Sequence, residues 1–318
     1  MSIKHFVNLN DLSIDDLNKI IDNAMSLKKS YQSRDVNNQL QNKTLAMIFD
    51  KPSTRTRVSF EAGMTQLGGH AIFLSYRDIQ LGRGETIEDS AKVISSMTDV
   101  ILLRISDHND IESFARHSYK PVINALSDKS HPCQMLGDIM TYNEIMGDIK
   151  GKTVTWIGDS NNMCQTYIEA SKVFNFKLNI STPKNYKPKQ EYFDKYKNTI
   201  EYFANPKDAA KNSDLIVTDV WQSMEKTLAT SIDSQANKNK EISSAIENSK
   251  NPFKGFKVDN KIMSYAKPKA LFMHCLPAYR GKEVDSEVID GKQSVVFQEA
   301  ENRLHIQKSI LLFLLNKI

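Results

Sequence analysis

The stretch Thr44-Leu45-Ala46-Met47-Ile48-Phe49-Asp50-Lys51-Pro52-Ser53-Thr54-Arg55-Thr56-Arg57 decides how this chain is organised. Its apolar first half, residues 44–49, is typical of a buried strand. Residues 58–67 can form a helix, and the pair Gly68-Gly69 that follows them is typical of a helix end. The hydroxyls and guanidiniums in between therefore lie on a strand-to-helix turn, where backbone N–H groups and the helix dipole favour an anion.

The polar residues of this turn allow two interpretations. Ser53, Thr54 and Thr56 can donate hydroxyl hydrogen bonds, and Arg55 offers a planar fork for a phosphate or carboxylate. Alternatively, a Ser or Thr caps the helix and the arginines form salt bridges at the surface. The spacing alone does not separate an anion site from a capped surface helix.

The rest of the chain alternates between apolar runs and helical segments. Predicted strands are 71–74, 100–104, 121–125, 153–158, 178–181, 214–218, 270–274 and 294–297, and predicted helices are 11–29, 87–97, 135–146 and 188–202. This alternation indicates α/β structure with parallel sheets. Arg104 ends one predicted strand, at the edge of the sheet where ligands bind in open α/β folds.

Composition places the chain among ordinary globular proteins. It has 318 residues, of which 40% are hydrophobic and 25% charged, which suits one large or two medium domains. A formal net charge of +4 does not indicate a nucleic-acid or membrane partner. The segment 1–6 lacks the apolar core of a signal peptide, and the apolar run 310–315 is too short to span a bilayer.

The three cysteines, Cys133, Cys164 and Cys275, indicate neither a disulfide framework nor a zinc site. We therefore expect a reducing, cytoplasmic compartment and no metal. Cys275 follows His274 in a strand, where adjacent side chains point to opposite faces, so the pair is not expected to act as a thiolate nucleophile and its base.

Three further groups could take part in chemistry. In His131-Pro132-Cys133-Gln134, the imidazole and the carboxamide can donate to a carbonyl oxygen that gains charge during acyl transfer, although a lone histidine is more often structural. Asp219 ends an apolar strand and needs a cationic partner there. The turn after residue 158 lacks the G-x-G-x-x-G spacing, so no nicotinamide cofactor is expected, while Asn161 and Asn162 suit a zwitterionic ligand.

Four stretches, taken in order, resemble the aspartate/ornithine carbamoyltransferase family. They are residues 51–57, His131-Pro132-Cys133-Gln134, Asp219-Val220-Trp221-Gln222-Ser223-Met224 and His274-Cys275-Leu276-Pro277. The resemblance covers nearly the whole chain, and the last motif points to the ornithine branch of the family.

The resemblance implies an α/β fold of two domains, each a parallel β-sheet flanked by helices, with the active site in the interdomain cleft. Residues 1–136, with a returning C-terminal helix 299–318, would bind carbamoyl phosphate, and residues 137–298 would bind ornithine. The implied reaction moves the carbamoyl group of carbamoyl phosphate to the δ-amine of L-ornithine, giving L-citrulline and phosphate. It implies a transferase of arginine metabolism and amino-acid biosynthesis, without a cofactor, and a homotrimer or a multiple of trimers.

The resemblance also assigns residues. The carbamoyl-phosphate set is Ser53, Thr54, Arg55, Thr56, Gln80, Arg104, His131, Gln134, Cys275, Leu276 and Arg303. The ornithine set is Asn162, Asp219, Ser223 and Met224. The catalytic set is Arg55, Arg104, His131, Cys275 and Arg303. His131 and Gln134 would polarise the carbamoyl C=O, Asp219 and Cys275 would orient the amine, and Gln80 would reach into a neighbouring subunit's site.

Two features depart from the family pattern. The span between Met224 and His274 is longer than is usual in the family and includes the polar segment 231–254. Glu225 stands where the family usually has Gly. Composition predicts either a mobile lid or a passive surface insertion. Two rival functions stay open: a carbamoyltransferase for putrescine, acylated ornithine or aspartate, and a non-catalytic binding protein of the same fold.

Overall fold

The computed structural model describes residues 3–76, 84–221 and 251–318. Gln80, Ser223, Met224, Glu225 and most of the predicted lid, residues 231–250, lie outside the described residues. The chain forms two compact units, Met1–Ile149 with Phe297–Ile318, and Lys150–Val296. The helix Pro132–Met146, which contains the predicted domain boundary at 136/137, belongs to the first unit.

The first unit is built around a four-stranded parallel sheet in the order β2-β1-β3-β4. Its elements are α1 Ile14–Gln32, β1 Thr44–Phe49, α2 Thr54–Gln66, β2 His70–Ser75, α3 Ile87–Met97, β3 Val100–Arg104, α4 His108–His117, β4 Val122–Leu126, α5 Pro132–Met146 and the C-terminal helix Val296–Leu314. Strand β1 lies in the interior of the sheet and is buried on both faces from Leu45 to Phe49, which explains its unbroken apolar sequence.

The second unit contains a five-stranded parallel sheet in the order β7-β6-β5-β8-β9. Its elements are β5 Thr153–Ile157, α6 Asn162–Val173, β6 Lys177–Ser181, α7 Gln190–Tyr196, β7 Ile200–Tyr202, α8 Pro206–Ala210, β8 Leu215–Val217, a short helix Asn260–Met263, β9 Leu271–Met273 and a short helix Ser286–Ile289. Apolar residues from β5, β8, β9 and the short helices form its core.

Glycines let the C-terminal helix pack closely against two helices of the first unit. A Cβ at Gly63 of α2 would lie 3.2 Å from Lys308 Cγ, and one at Gly137 of α5 would lie 3.4 Å from Arg303 Cγ. The same helix is hydrogen-bonded to α1, because Ser309 Oγ donates to the carbonyl of Ile20 over 2.7 Å. The C-terminal segment is therefore an integral part of the first unit.

Two secondary-structure predictions were wrong. Residues 188–202, predicted as one helix, divide into α7 and the edge strand β7, because Ile200 pairs with Leu178 of β6 after a turn. Residues 294–297, predicted as a strand, make a single bridge from Ser294 to Phe272 before the C-terminal helix begins.

The end of the predicted lid segment packs against aromatic side chains. Phe253, which lies within residues 251–254, is fully buried. Its ring stacks on Trp221 with the centroids 4.9 Å apart, and the ring of Tyr186 lies 4.7 Å away. Phe253 and Trp221 are thus core residues of the second unit.

Within the described part of the chain, none of the helices combines the length and the apolarity needed to cross a membrane.

Candidate functional site

The first unit collects the predicted anion-binding residues at the carboxyl ends of three neighbouring strands. Ser53 caps α2 directly after β1, and its hydroxyl accepts from the backbone N–H of Thr56 over 3.4 Å. Arg104 ends β3, where it is the register partner of Phe49 at the end of β1. His131 follows β4, the strand on the other side of β3. In a parallel sheet these carboxyl ends lie along one edge, so the three segments are brought together there.

The hydroxyl of Thr56 joins two arginines from distant parts of the sequence. Nη2 of Arg303, on the C-terminal helix, donates to Thr56 Oγ1 over 3.0 Å, and Nη1 of Arg104 donates to the same oxygen over 3.4 Å. Thr56 is fully buried and Arg303 is almost fully buried. Two guanidiniums beside a helix N-terminus make a strongly anion-favouring place.

His131 lies in the electrostatic field of this cluster. It is the N-cap residue of α5 and is buried. Burial lowers the pKa of its imidazole well below the usual 6.5, and the charges of Arg303, Arg104 and Arg55 lower it further. The ring is therefore neutral near pH 7, and a neutral imidazole can still donate one N–H to a carbonyl oxygen.

The amide of Gln134 is oriented so that its donors face two acids of the protein. Its Nε2 donates to Asp138 Oδ1 over 2.8 Å and to Glu299 Oε1 over 3.0 Å. An amide nitrogen carries two hydrogens, so both donors are used. The prediction that Gln134 polarises a carbamoyl C=O by donation was wrong, because only its oxygen remains to meet a ligand.

Two neighbours of the predicted site have structural roles. Arg57 lies over the Phe73 ring at 3.9 Å and pairs with Glu61 at 2.9 Å, so the surface salt-bridge interpretation holds for Arg57. Cys133 is fully buried, its Sγ lies 3.4 Å from the carbonyl oxygen of Asn124, and burial raises the pKa of its thiol to about 12. Burial likewise raises the pKa of the Cys164 thiol well above its usual value. Neither thiol ionises near neutral pH.

The second unit brings Asp219, Cys275 and Asn161 together at the carboxyl ends of β8, β9 and β5. These strands are adjacent, with Val217 paired to both Trp156 and Met273. Asn161 Nδ2 donates to one carboxylate oxygen of Asp219 over 2.7 Å, and Cys275 Sγ donates to the other over 3.3 Å. Asp219 is thus a buried carboxylate held from both sides, at a place where a cationic partner would be favoured.

Of the two asparagines, Asn161 rather than Asn162 fixes this arrangement. The Oδ1 of Asn161 caps α6 by accepting from the N–H groups of Met163 and Cys164, while its Nδ2 holds Asp219. Asn162 is the first residue of α6 and is buried beside it. The sequence prediction missed Asn161 as the positioning residue, although an Asn before a helical stretch is a typical N-cap.

His274 supports the turn that contains Cys275 and Leu276. Its Nδ1 accepts from the N–H of Leu276 over 2.9 Å, and its Nε2 faces Glu283 Oε1 at 3.2 Å. Leu276 has a φ of 56°, which is uncommon for a bulky residue and indicates a strained position held by its surroundings. Strand β9 ends at Met273, so the expectation that His274 and Cys275 point to opposite faces of a strand does not apply to them. His274 is instead kept from acting as a base for Cys275 because both of its ring nitrogens face other protein groups.

Asp219, His274 and Cys275 also form a group whose ligand atoms lie within 4.8 Å of one another, the kind of spacing that could hold a metal ion. Both ring nitrogens of His274 already face protein partners, however. A metal at this place would have to displace the N–H of Leu276 or the carboxylate of Glu283. The hydrogen bonds of the trio therefore fit support of the turn better than metal binding.

Besides Asn161, three residues that hydrogen-bond to side chains of the two candidate sites were missed in the sequence: Asp138, Glu283 and Glu299. Asp138 stands four residues after Gln134, a spacing that places both side chains on one face of a helix. Glu299 likewise stands four residues before Arg303. The helical spacing of Asp138 and Glu299 could be read from the sequence. The contact of Glu299 with Gln134, however, depends on how the C-terminal helix packs on α5.

Comparison with known proteins agrees with both units. The carbamoyl-P binding domain of aspartate/ornithine carbamoyltransferases matches residues 4–144, and the Asp/Orn binding domain matches residues 150–314. The chain is 60% identical to the ornithine carbamoyltransferase of Ruthia magnifica subsp. Calyptogena magnifica, over 99% of this chain and 100% of that protein. It is 53% identical to that of Hydrogenovibrio crunogenus, over the full length of both.

Solved structures show the same fold. The ornithine carbamoyltransferase of Burkholderia thailandensis E264 superposes with a TM-score of 0.88 at 46% identity, covering 99% of both chains. That of Pyrococcus furiosus gives a TM-score of 0.89 at 40% identity, covering 100% of this chain and 98% of the other. The chain therefore belongs to the aspartate/ornithine carbamoyltransferase family.

Proposed function

We propose that the protein transfers the carbamoyl group of carbamoyl phosphate to the δ-amine of L-ornithine, giving L-citrulline and phosphate. The observation that carries this proposal is the buried cluster in which Arg104 and Arg303 converge on Thr56 beside the neutral His131. Relatives at 53 to 60% identity over the whole chain are named ornithine carbamoyltransferases, which supports ornithine as the acceptor.

The first unit would bind carbamoyl phosphate. The hydroxyls and backbone N–H groups at the start of α2 would receive the phosphate, and the guanidiniums would neutralise its charge. These residues are Ser53, Thr54, Arg55, Thr56, Arg104 and Arg303. The same contacts stabilise the phosphate as the C–O bond breaks and the electron pair leaves with it.

The carbamoyl group would be held by two side chains with opposite hydrogen-bonding roles. The neutral imidazole of His131 would donate to the carbonyl oxygen, which becomes more negative when the amine attacks. Gln134 would accept from the carbamoyl NH2 through its free oxygen, since its own N–H groups are used. Together they would fix the plane of the group that reacts.

The second unit would bind ornithine. Asp219 would attract the δ-amine and, with Cys275, orient its lone pair, while Asn162, Ser223 and Met224 would contact the amino-acid end. A free alkylamine has a pKa of about 10.4, so it must lose a proton before it attacks the carbonyl carbon. The rate enhancement would come from positioning and electrostatics, without a covalent intermediate.

We further propose a cytoplasmic homotrimer, or a multiple of trimers, that acts in arginine metabolism. Support for self-association comes from apolar side chains exposed on the first unit: Val58 on α2, Ile72 on the edge strand β2, and Val93 and Met97 on α3. Exposed apolar side chains on an edge strand and on surface helices suit an interface. Gln80 would complete a neighbouring subunit's site. Analytical ultracentrifugation tests the assembly, and a monomer under assay conditions would contradict it.

The function is tested by measuring carbamoyl transfer to a panel of amines. The panel contains L-ornithine, putrescine, N-acetylornithine and L-aspartate, each with carbamoyl phosphate as the donor. We expect citrulline from ornithine with a kcat/KM at least a hundredfold above the other acceptors. A higher value for another amine would reassign the acceptor, and no turnover with any of them would indicate a binding protein.

A further inference from the structure

Two buried carboxylates hold the amide of Gln134 in one orientation. Gln134, Asp138 and Glu299 are 1%, 2% and 1% exposed. The two carboxylate oxygens lie 2.8 and 3.0 Å from Nε2. Nε2 donates to a carboxylate oxygen of each acid, so the NH2 end of the amide faces the two acids and its C=O end faces away.

The oxygen at the other end of this amide is a buried hydrogen-bond acceptor that can accept from a ligand. Among the described residues, Oε1 of Gln134 is buried and has no hydrogen-bond partner. A buried acceptor left unpaired is costly, so a ligand that supplies an N–H is favoured over one that does not. Gln134 lies in the first turn of α5, whose N-cap is His131, so this oxygen belongs to the carbamoyl end of the proposed site.

We propose that Asp138 and Glu299 are positioning residues that make the site select carbamoyl phosphate over acyl phosphates without an N–H, such as acetyl phosphate. The inference rests on the proposed function of the first unit. Carbamoyl and acetyl phosphate share the phosphate and the carbonyl, and they differ in an NH2 group against a methyl group. Only the NH2 group can satisfy the oriented oxygen of Gln134.

The presence of two acids, not one, gives the orientation its strength. Rotating the amide by 180° would place its oxygen against both carboxylates and would leave both without the N–H they now accept. One acid would leave that rotated state half as unfavourable. A site built to pair a substrate N–H rejects the analogue without it far better than an apolar pocket distinguishes shapes, because the unpaired group remains buried.

The test replaces each acid by its amide, as Asp138→Asn, Glu299→Gln and both together. An amide at either position can donate to Gln134 and so permits the rotated state. The KM for carbamoyl phosphate and the inhibition constant for acetyl phosphate, competing with it, are measured on the same preparation at saturating ornithine. A loss of folded enzyme lowers the maximal rate but leaves the ratio of the two constants unchanged.

We expect the ratio of the acetyl phosphate constant to the carbamoyl phosphate constant to fall about tenfold in the double variant, the size of one buried hydrogen bond. The single variants should fall between it and the unaltered protein. Inhibition by inorganic phosphate should change by less than twofold, since phosphate lacks the carbamoyl group proposed to meet Gln134. The matched control is Glu144→Gln, on the same helix but bonded to Lys28 and Asn302, which should leave the ratio unchanged.

A double variant with an unchanged ratio would overturn the proposal, whether or not its stability fell. This outcome includes an equal rise of both constants, which is the pattern that a purely structural role predicts. Failure of the proposed function gives a different result. In that case the unaltered protein would bind neither of the two acyl phosphates and would form no citrulline.

Discussion

Replacing Thr56 by Val tests whether the Thr56 hydroxyl holds the two arginines in working positions. Valine has nearly the same shape as threonine but lacks the hydroxyl, so at this fully buried position the change removes a hydrogen-bonding group with little change in volume. The hydroxyl oxygen, however, is an acceptor for Arg303 at 3.0 Å and for Arg104 at 3.4 Å. Its removal takes one hydrogen-bond acceptor from each guanidinium and so weakens the hold on their orientation.

The magnitude follows from these two contacts. A hydrogen bond from a charged donor is worth about 1.5–3 kcal/mol, and the longer contact with Arg104 contributes less than the shorter one. A total of about 2–3 kcal/mol in transition-state binding corresponds to a loss of roughly 30- to 150-fold in kcat/KM. Thr56→Ser keeps the oxygen and should lose less than about tenfold.

The assay is steady-state citrulline formation with carbamoyl phosphate varied at saturating ornithine, together with the thermal midpoint of each variant. A Thr56→Val enzyme within threefold of the unaltered protein would refute the reasoning. So would a Thr56→Ser enzyme as impaired as the Val variant, since the oxygen would then be irrelevant. Circular dichroism distinguishes a loss of fold from a loss of orientation.

Three further outcomes are expected. Arg55→Ala should cost at least about 3 kcal/mol in transition-state stabilisation, and a near-normal kcat and carbamoyl-phosphate affinity would contradict its placement at the anion. Cys275→Ser should keep measurable activity because the thiol only orients, and a carbamoyl-thioester on Cys275 seen by mass spectrometry would contradict this. Burial, with Lys308 and Lys28 nearby, lowers the pKa of His305 to about 4. In the unfolded chain this imidazole binds a proton near pH 6.5, whereas in the folded state it stays neutral down to about pH 4. The contribution of His305 to the free energy of unfolding is therefore fully present above pH 6.5 and falls as the pH drops toward 4. At pH 5 the resulting loss of unfolding free energy is at most about 2 kcal/mol. Chemical denaturation should show this pH-dependent loss in the unaltered protein and not in His305→Gln.

The sequence predicted the parts of the fold that depend on continuous apolar runs. Strands β1 and β3 are central in their sheet and read clearly as buried segments. The edge strand β7 is only three residues long, and a polar helix was predicted across it, because short edge strands carry little apolar signal. Ser294 shows the opposite error, since an apolar run beside it makes one bridge and then enters a helix.

The candidate site was predicted in its residue types more fully than in its hydrogen bonds. The motifs indicated Thr56, Arg104 and His131, and the structure brings them to one sheet edge. Which atom donates was not readable: Gln134 was expected to donate to a carbonyl, yet Asp138 and Glu299 use both of its donors. Such roles depend on packing between helices that are distant in sequence, which local patterns do not encode.

The C-terminal helix has a consequence for how the protein is made. Residues 150–296 separate the two segments of the first unit, which is 147 residues of chain. At a synthesis rate of about 5–20 residues per second, the first segment waits roughly 7 to 30 s on the ribosome before its missing helix emerges. During that interval the nascent chain lacks Arg303 and Glu299, so neither the arginine pair at Thr56 nor the clamp on Gln134 can form. The proposed anion site can therefore form only after residues 297–318 have been synthesised, and a chain truncated before residue 297 should not bind carbamoyl phosphate through it.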